Sequence, residues 1–126
     1  MSRCAFLFPG QASQVVGMAC DLYERHESVR ERFAQADQVL DFKLSELCFQ
    51  GPEERLMQTE VTQPAVFVHS VAAWELLVMG GQDPVAVAGH SLGEYSALVA
   101  AGAIEFDATI KLVRKRAELM LYLIHI

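Results

Sequence analysis

The run Val85-Ala86-Val87-Ala88-Gly89-His90-Ser91-Leu92-Gly93-Glu94-Tyr95 changes character at its centre. Residues 85–88 are small and valine-rich, the composition of a short buried strand. From Ser91 to residue 101 the pattern reads as a helix, and Gly102 ends it. A strand that turns into a helix within a few residues, with glycine two places either side of a serine, meets the needs of a strand-to-helix nucleophile elbow. The turn is tight, and side chains at 89 and 93 would collide with the neighbouring strand and helix. Ser91 would then stand at a helix N-terminus, where free N–H groups and the dipole stabilise negative charge. The N–H of Leu92, the next residue, is the natural oxyanion donor. A second explanation stays open beside this one. Ser91-Leu92-Gly93-Glu94 is also a capping box, in which the serine caps the helix and the glutamate bonds back.

Upstream, residues 4–8 (Cys-Ala-Phe-Leu-Phe) form a short apolar run ended by the turn Pro9-Gly10, which predicts another buried strand. Helices are expected over 18–23 and 29–40, with a short one over 44–49 closed by Gly51-Pro52. Residues 60–79 are the longest apolar stretch. Thr62 is expected to cap it, Pro64 to sit in its first turn and Gly80-Gly81 to stop it. Being apolar on nearly all sides, this helix belongs in the core. Downstream, Asp107 is expected to cap a last helix. The order strand, helices, strand, tight turn, helix predicts an α/β layer fold, helix-rich, with a partial parallel sheet. Two strands alone leave both edges open and need cover on both faces.

Composition sets the class. The 126 residues are 52% apolar and 21% charged, which is globular, and the net charge of −6 offers no general attraction to nucleic acid. Cys4, Cys20 and Cys48 show no metal-ligand spacing, so no metal site is expected, and free thiols suit a reducing compartment. No signal peptide is read at the N-terminus, and no apolar run is taken as long enough to span a bilayer. The expectation is a cytoplasmic protein without membrane or nucleic-acid partners.

A serine nucleophile needs a base. His90 adjoins the serine with its side chain pointing away. His26 is placed on a charged helix, His69 inside the core helix as a neutral histidine, and His125 is penultimate. None is well placed.

Four separated motifs carry a resemblance: Phe8-Pro9-Gly10-Gln11, Thr62-Gln63-Pro64-Ala65, Gly89-His90-Ser91-Leu92-Gly93-Glu94-Tyr95, and Arg116. In order and spacing the chain resembles the malonyl-CoA:acyl-carrier-protein transacylases and, more loosely, polyketide synthase acyltransferase domains, from about Cys4 to Met120. The resemblance implies an incomplete α/β-hydrolase-like acyltransferase core. It implies that Ser91 takes malonyl from malonyl-CoA and passes it to the phosphopantetheine thiol of acyl carrier protein, in fatty-acid biosynthesis, with no bound cofactor. It makes Gln11, through its backbone N–H, the second oxyanion donor beside Leu92. Arg116 becomes the partner of the malonate carboxylate, and Gln63 a supporting polar residue. The periodicity of the last helix adds to this, because Leu112, Arg116, Leu119 and Leu123 make an apolar stripe opposite Lys111, Lys115, Glu118 and Tyr122. A planar fork at a partly buried position suits a bidentate grip on a carboxylate; snorkelling at the core edge is the alternative. A serine esterase sharing the elbow, or a non-catalytic binding module, also stays open.

Two departures from the family pattern are visible. Ala12 stands where glycine usually follows Gln11. The family's general-base histidine lies in a downstream segment outside this sequence. Residues 1–126 are therefore expected to be the N-terminal part of an acyltransferase domain with little activity alone. Residues 121–126 read as a divergent apolar tail, either an early stop or a genuine short relative.

Overall fold

The computed structural model describes residues 3–124. Its elements in order are β1 (Ala5–Phe8), α1 (Cys20–Arg25), α2 (Glu27–Val39), α3 (Leu44–Gln50), α4 (Glu53–Leu56), α5 (Thr59–Met79), β2 (Ala86–Gly89), α6 (Gly93–Ala100) and α7 (Phe106–Ile124). The two strands pair in parallel, Ala5 with Ala86 through Phe8 with Gly89, so the α/β, helix-rich class read from the sequence is the one observed. The expectation that both strands are buried is corrected: only Phe8 is buried, Leu7 is 79% exposed and no residue of β2 is fully buried, because the two-strand pair lacks cover. The four-residue helix α4 was not anticipated.

Helix α5 is the axis on which the others pack, with α2, α6 and α7 against it. Its first half is buried from Val61 to Val68, followed by Val71 and Ala72. From α2 come Val29, Phe33 and Ala36, spaced as one helical face. From α7 the Phe106 ring stacks on Phe67 at 5.4 Å. Fully burying a side chain of this size contributes about 1.5–3 kcal/mol; the short sheet joins this core through α6, which packs on both strands.

Four expectations about these helices are corrected. First, α5 starts at Thr59 because the Gln58 carbonyl accepts from Val61 and Thr62 N–H. The Thr62 hydroxyl donates to the Leu56 carbonyl instead of capping, and Pro64 lies inside the helix. Second, the core does not wrap the whole of α5, since Leu77, Val78 and Met79 are exposed at its end. Third, α5 is by length and composition apolar enough to cross a membrane, contrary to the sequence reading; 56% of its apolar window is buried inside the protein. Fourth, Asp107 lies within the first turn of α7, not at its cap. Of the histidines, His26 joins α1 to α2 in extended backbone and is not on a helix, and His125 lies outside the described residues.

Candidate functional site

The elbow forms where β2 meets α6. Ser91 has φ of 54°, in the left-handed region, a conformation that costs a non-glycine residue about 1–3 kcal/mol. Backbone bonds on both sides hold it there. His90 N–H donates to the Phe8 carbonyl at 3.1 Å, Gly93 N–H to His90 at 2.9 Å, and Glu94 N–H to the Ser91 carbonyl at 3.0 Å. The flanking glycines are steric requirements. A Cβ on Gly89 would lie 2.1 Å from the Gly93 carbonyl, and one on Gly93 would lie 2.1 Å from the Phe8 carbonyl oxygen. The elbow is thus built by close approach of three backbones, and it leaves Ser91 exposed.

The capping box does not form. Leu92 occupies the N-cap of α6 without a side-chain cap bond, and the Ser91 hydroxyl accepts from Arg116 Nη2 at 3.0 Å. A capping residue takes extended backbone, whereas Ser91 is left-handed and its carbonyl already holds the Glu94 N–H that a capping box would use. Arg116 also donates through Nη1 to Gln63 Oε1 at 2.7 Å and lies 5.7 Å from the Tyr95 ring centroid. Arg32 pairs with Glu75, and Arg114 with Asp41 and Glu118. Arg116 has no carboxylate partner among the described residues.

Gln63 is fully buried and fully satisfied. Its Nε2 donates to Thr59 Oγ1 at 2.8 Å and to Met120 Sδ at 3.2 Å. The same Thr59 oxygen accepts from Gln11 Nε2 at 2.9 Å. One line of hydrogen bonds therefore runs Gln11, Thr59, Gln63, Arg116, Ser91, joining four of the five residues singled out in the sequence. The fifth, Leu92, enters by its backbone. Neither its N–H nor that of Gln11 donates to an acceptor among the described residues, and Leu92 is fully buried.

The apolar stripe assigned to α7 is corrected. Leu112, Leu119 and Leu123 are 51%, 51% and 65% exposed, and the buried face is Phe106, Ile110, Val113 and Ala117. Arg116 sits beside that face and reaches the elbow along its flank. Thr59 lies outside the motifs read in the sequence, and Tyr95 lies inside one without an assigned role. Each lies four residues from a chosen one on the same or adjoining helical turn, Thr59 before Gln63 and Tyr95 after Ser91, so i,i+4 spacing was the available signal.

No histidine or carboxylate is hydrogen-bonded to Ser91 among the described residues. His69 lines a cavity of about 310 Å³ against β1 with Phe6, Phe8, Ala73, Trp74 and Leu77, away from the elbow. Burial pushes the His69 imidazole below its ordinary value, with Asp21 opposing, although the residue is half-buried at the cavity wall and not enclosed in the core as expected. No group of metal-ligating side chains occurs among the described residues.

The sequence profile of the acyl transferase domain family matches residues 5–124. The malonyl CoA-acyl carrier protein transacylase of Bacillus subtilis is 50% identical over 120 residues, covering 95% of this chain and 38% of that protein. The crystal structure of an acyl carrier protein S-malonyltransferase from Vibrio cholerae superposes with a TM-score of 0.90 at 50% identity, over 95% of this chain and 40% of the other. A chain from the complex of a type II PKS acyl-carrier protein with its malonyl-transacylase gives a TM-score of 0.89 at 49% identity, over 94% and 39% respectively. The helix-rich α/β arrangement is shared with these structures. This chain spans about two fifths of the length of the relatives it matches.

Proposed function

Since this chain belongs to the acyl transferase domain family, we propose that it supplies the nucleophile and the carboxylate-reading residue of a malonyl transferase working in fatty-acid biosynthesis. One observation carries the reading. A guanidinium without a carboxylate partner among the described residues stands 3.0 Å from the hydroxyl of a serine at a strained elbow.

The chemistry follows in two halves. Ser91 Oγ attacks the thioester carbon of malonyl-CoA and gives up its proton to a base. The C–S bond breaks, and CoA leaves as the thiol after taking that proton. The tetrahedral oxyanion is met by the N–H of Leu92 at the α6 N-terminus and that of Gln11 in the loop after β1. The distal carboxylate of malonate lies two carbon–carbon bonds from the ester carbonyl, so a guanidinium already touching Ser91 is within reach of it. Arg116 then holds the carboxylate through a two-pronged grip, and Gln63 keeps the fork in plane. In the second half the phosphopantetheine thiol of acyl carrier protein attacks the malonyl ester, and Ser91 recovers its proton.

Residues 1–126 are read as the N-terminal part of the catalytic domain, with the general base outside them. That reading is supported by His26, His69 and His90, none of which touches the Ser91 hydroxyl. The isolated chain is accordingly expected to acylate slowly at most, since an oxyanion hole leaves some residual rate when a base is missing. The setting is cytoplasmic, in keeping with three free thiols.

The test is intact-mass analysis after incubation with malonyl-CoA, using a polypeptide that carries this segment together with its base. One malonyl group should appear on the wild type and none on Ser91→Ala. A malonyl adduct that survives in the alanine variant would refute the assignment.

A further inference from the structure

Resting on that malonyl-transfer reading, we infer that Thr59 is a positioning residue whose single oxygen sets the orientation of both the carboxylate reader and the oxyanion loop. The polarity of the hydrogen bonds requires it. A guanidinium has donors only, so the group of Gln63 that faces Arg116 must be its carbonyl oxygen. The amide nitrogen of Gln63 then faces Thr59 and Met120, as found. A nitrogen there can only donate, so the Thr59 oxygen must accept. Gln11 brings a second amide nitrogen to that oxygen, which fills both lone pairs of one hydroxyl.

Two segments far apart in sequence are tied at this atom. One is the loop after β1, whose Gln11 N–H faces the developing oxyanion in the mechanism above. The other is the start of α5, where Thr59 lies one turn before Gln63 and through it reaches the fork of Arg116. The Gln63 side chain is fully buried, and without the Thr59 oxygen its Nε2 keeps only the Met120 sulfur, a weak acceptor. An amide that turned would present its nitrogen to Arg116, donor against donor, and move the fork off the position that meets a malonate carboxylate. Thr59 touches no reacting atom in this scheme and acts through Gln63 and Gln11.

The discriminating variants are Thr59→Val, which keeps the shape and removes the acceptor, Thr59→Ala, which removes it without bulk, and Thr59→Ser, which retains it. They are made in the polypeptide carrying this segment with its base. Acylation of Ser91 is timed with malonyl-CoA and with acetyl-CoA, and kcat and KM are separated. Valine and alanine should slow malonyl acylation tenfold to a hundredfold, since misplacement by roughly 1 Å costs on that order. They should also lower the malonyl-to-acetyl preference, and serine should restore both. A role in stability alone would slow the two thioesters equally and leave their ratio unchanged, and that result would overturn the inference. So would wild-type rates in folded valine and alanine variants. Absence of acylation in the wild type would instead overturn the malonyl-transfer reading, and this inference with it.

Discussion

Gly93→Ala tests whether the elbow is built by backbone contact. The new methyl carbon would sit 2.1 Å from the Phe8 carbonyl oxygen, 2.7 Å from the Phe8 carbonyl carbon and 2.9 Å from the Pro9 oxygen. A carbon and a carbonyl oxygen rest at about 3.3 Å or more, so the end of β1 and the start of α6 must separate by roughly 1 Å. No flexible side chain can absorb this, because each opposing atom is main chain. Overpacking costs about 1–3 kcal/mol. The Phe8 carbonyl also accepts the His90 N–H at 3.1 Å, and losing that bond adds about 0.5–1.5 kcal/mol. A total of about 1.5–4.5 kcal/mol in a chain of this length lowers the melting temperature by roughly 6–18 °C. Gly102→Ala is the control. Gly102 has φ of 75° and open space around its missing Cβ, so only the left-handed backbone cost of about 1–2 kcal/mol applies, or roughly 4–8 °C. Thermal unfolding followed by far-ultraviolet circular dichroism compares the two. A Gly93→Ala protein that melts at or above Gly102→Ala would refute the steric account of the elbow.

Arg116→Ala should reduce malonyl acylation by tenfold to a hundredfold, the value of a charged hydrogen bond of about 1.5–3 kcal/mol, and leave acetyl acylation close to the wild type; stopped-time mass analysis with each thioester measures the ratio. The Cys48 thiol is pushed up to about 12 by burial and then by the charge of Asp37. It should therefore resist alkylation in the native protein at mildly alkaline pH and react only on unfolding, which peptide mapping reads out. Because the folded value is the higher one, Cys48 lends stability that is complete below the ordinary thiol value near 9 and declines as pH rises from there toward 12. His69 works in the acid direction. Its folded value is lowered by burial, so the unfolded chain takes the proton first and stability falls as pH drops below about 6.5. His69→Gln should flatten denaturant midpoints measured between pH 7 and 5, and an unchanged slope would contradict the assignment.

The elbow was legible in the sequence because its requirements are local. Two glycines, a serine and a valine-rich strand fix the geometry within nine residues. The strand pair and the long α5 were legible for similar reasons. The face of α7 was not. Leu112, Leu119 and Leu123 fit a helical period as well as Ile110, Val113 and Ala117 do, and only the docking of Phe106 on Phe67 decides between them. The start of α5 was misjudged because Thr62 has the chemistry of a cap, whereas the Gln58 carbonyl set the first turn. That shift of helix start is also why Thr59 went unnoticed. The capping box failed because the elbow puts Ser91 in left-handed backbone and gives the Glu94 N–H to the Ser91 carbonyl. Arg116 and Gln63 were chosen by resemblance, and the bond that joins them spans 53 residues, beyond the reach of any local pattern.

The pairing of Ala5 with Ala86 has a consequence for the order of assembly. Strand β1 leaves the ribosome before its partner, which follows some eighty residues later, after five helices have been made. Closing so long a loop is entropically costly and slow, and the collapse of α2 and α5 must bring the ends together first. Ser91 cannot hold its left-handed backbone until β2 has seated beside β1 and delivered its His90 bond to Phe8. The nucleophile is therefore among the last features of this segment to form, and a nascent chain remains chemically silent until its packing is complete.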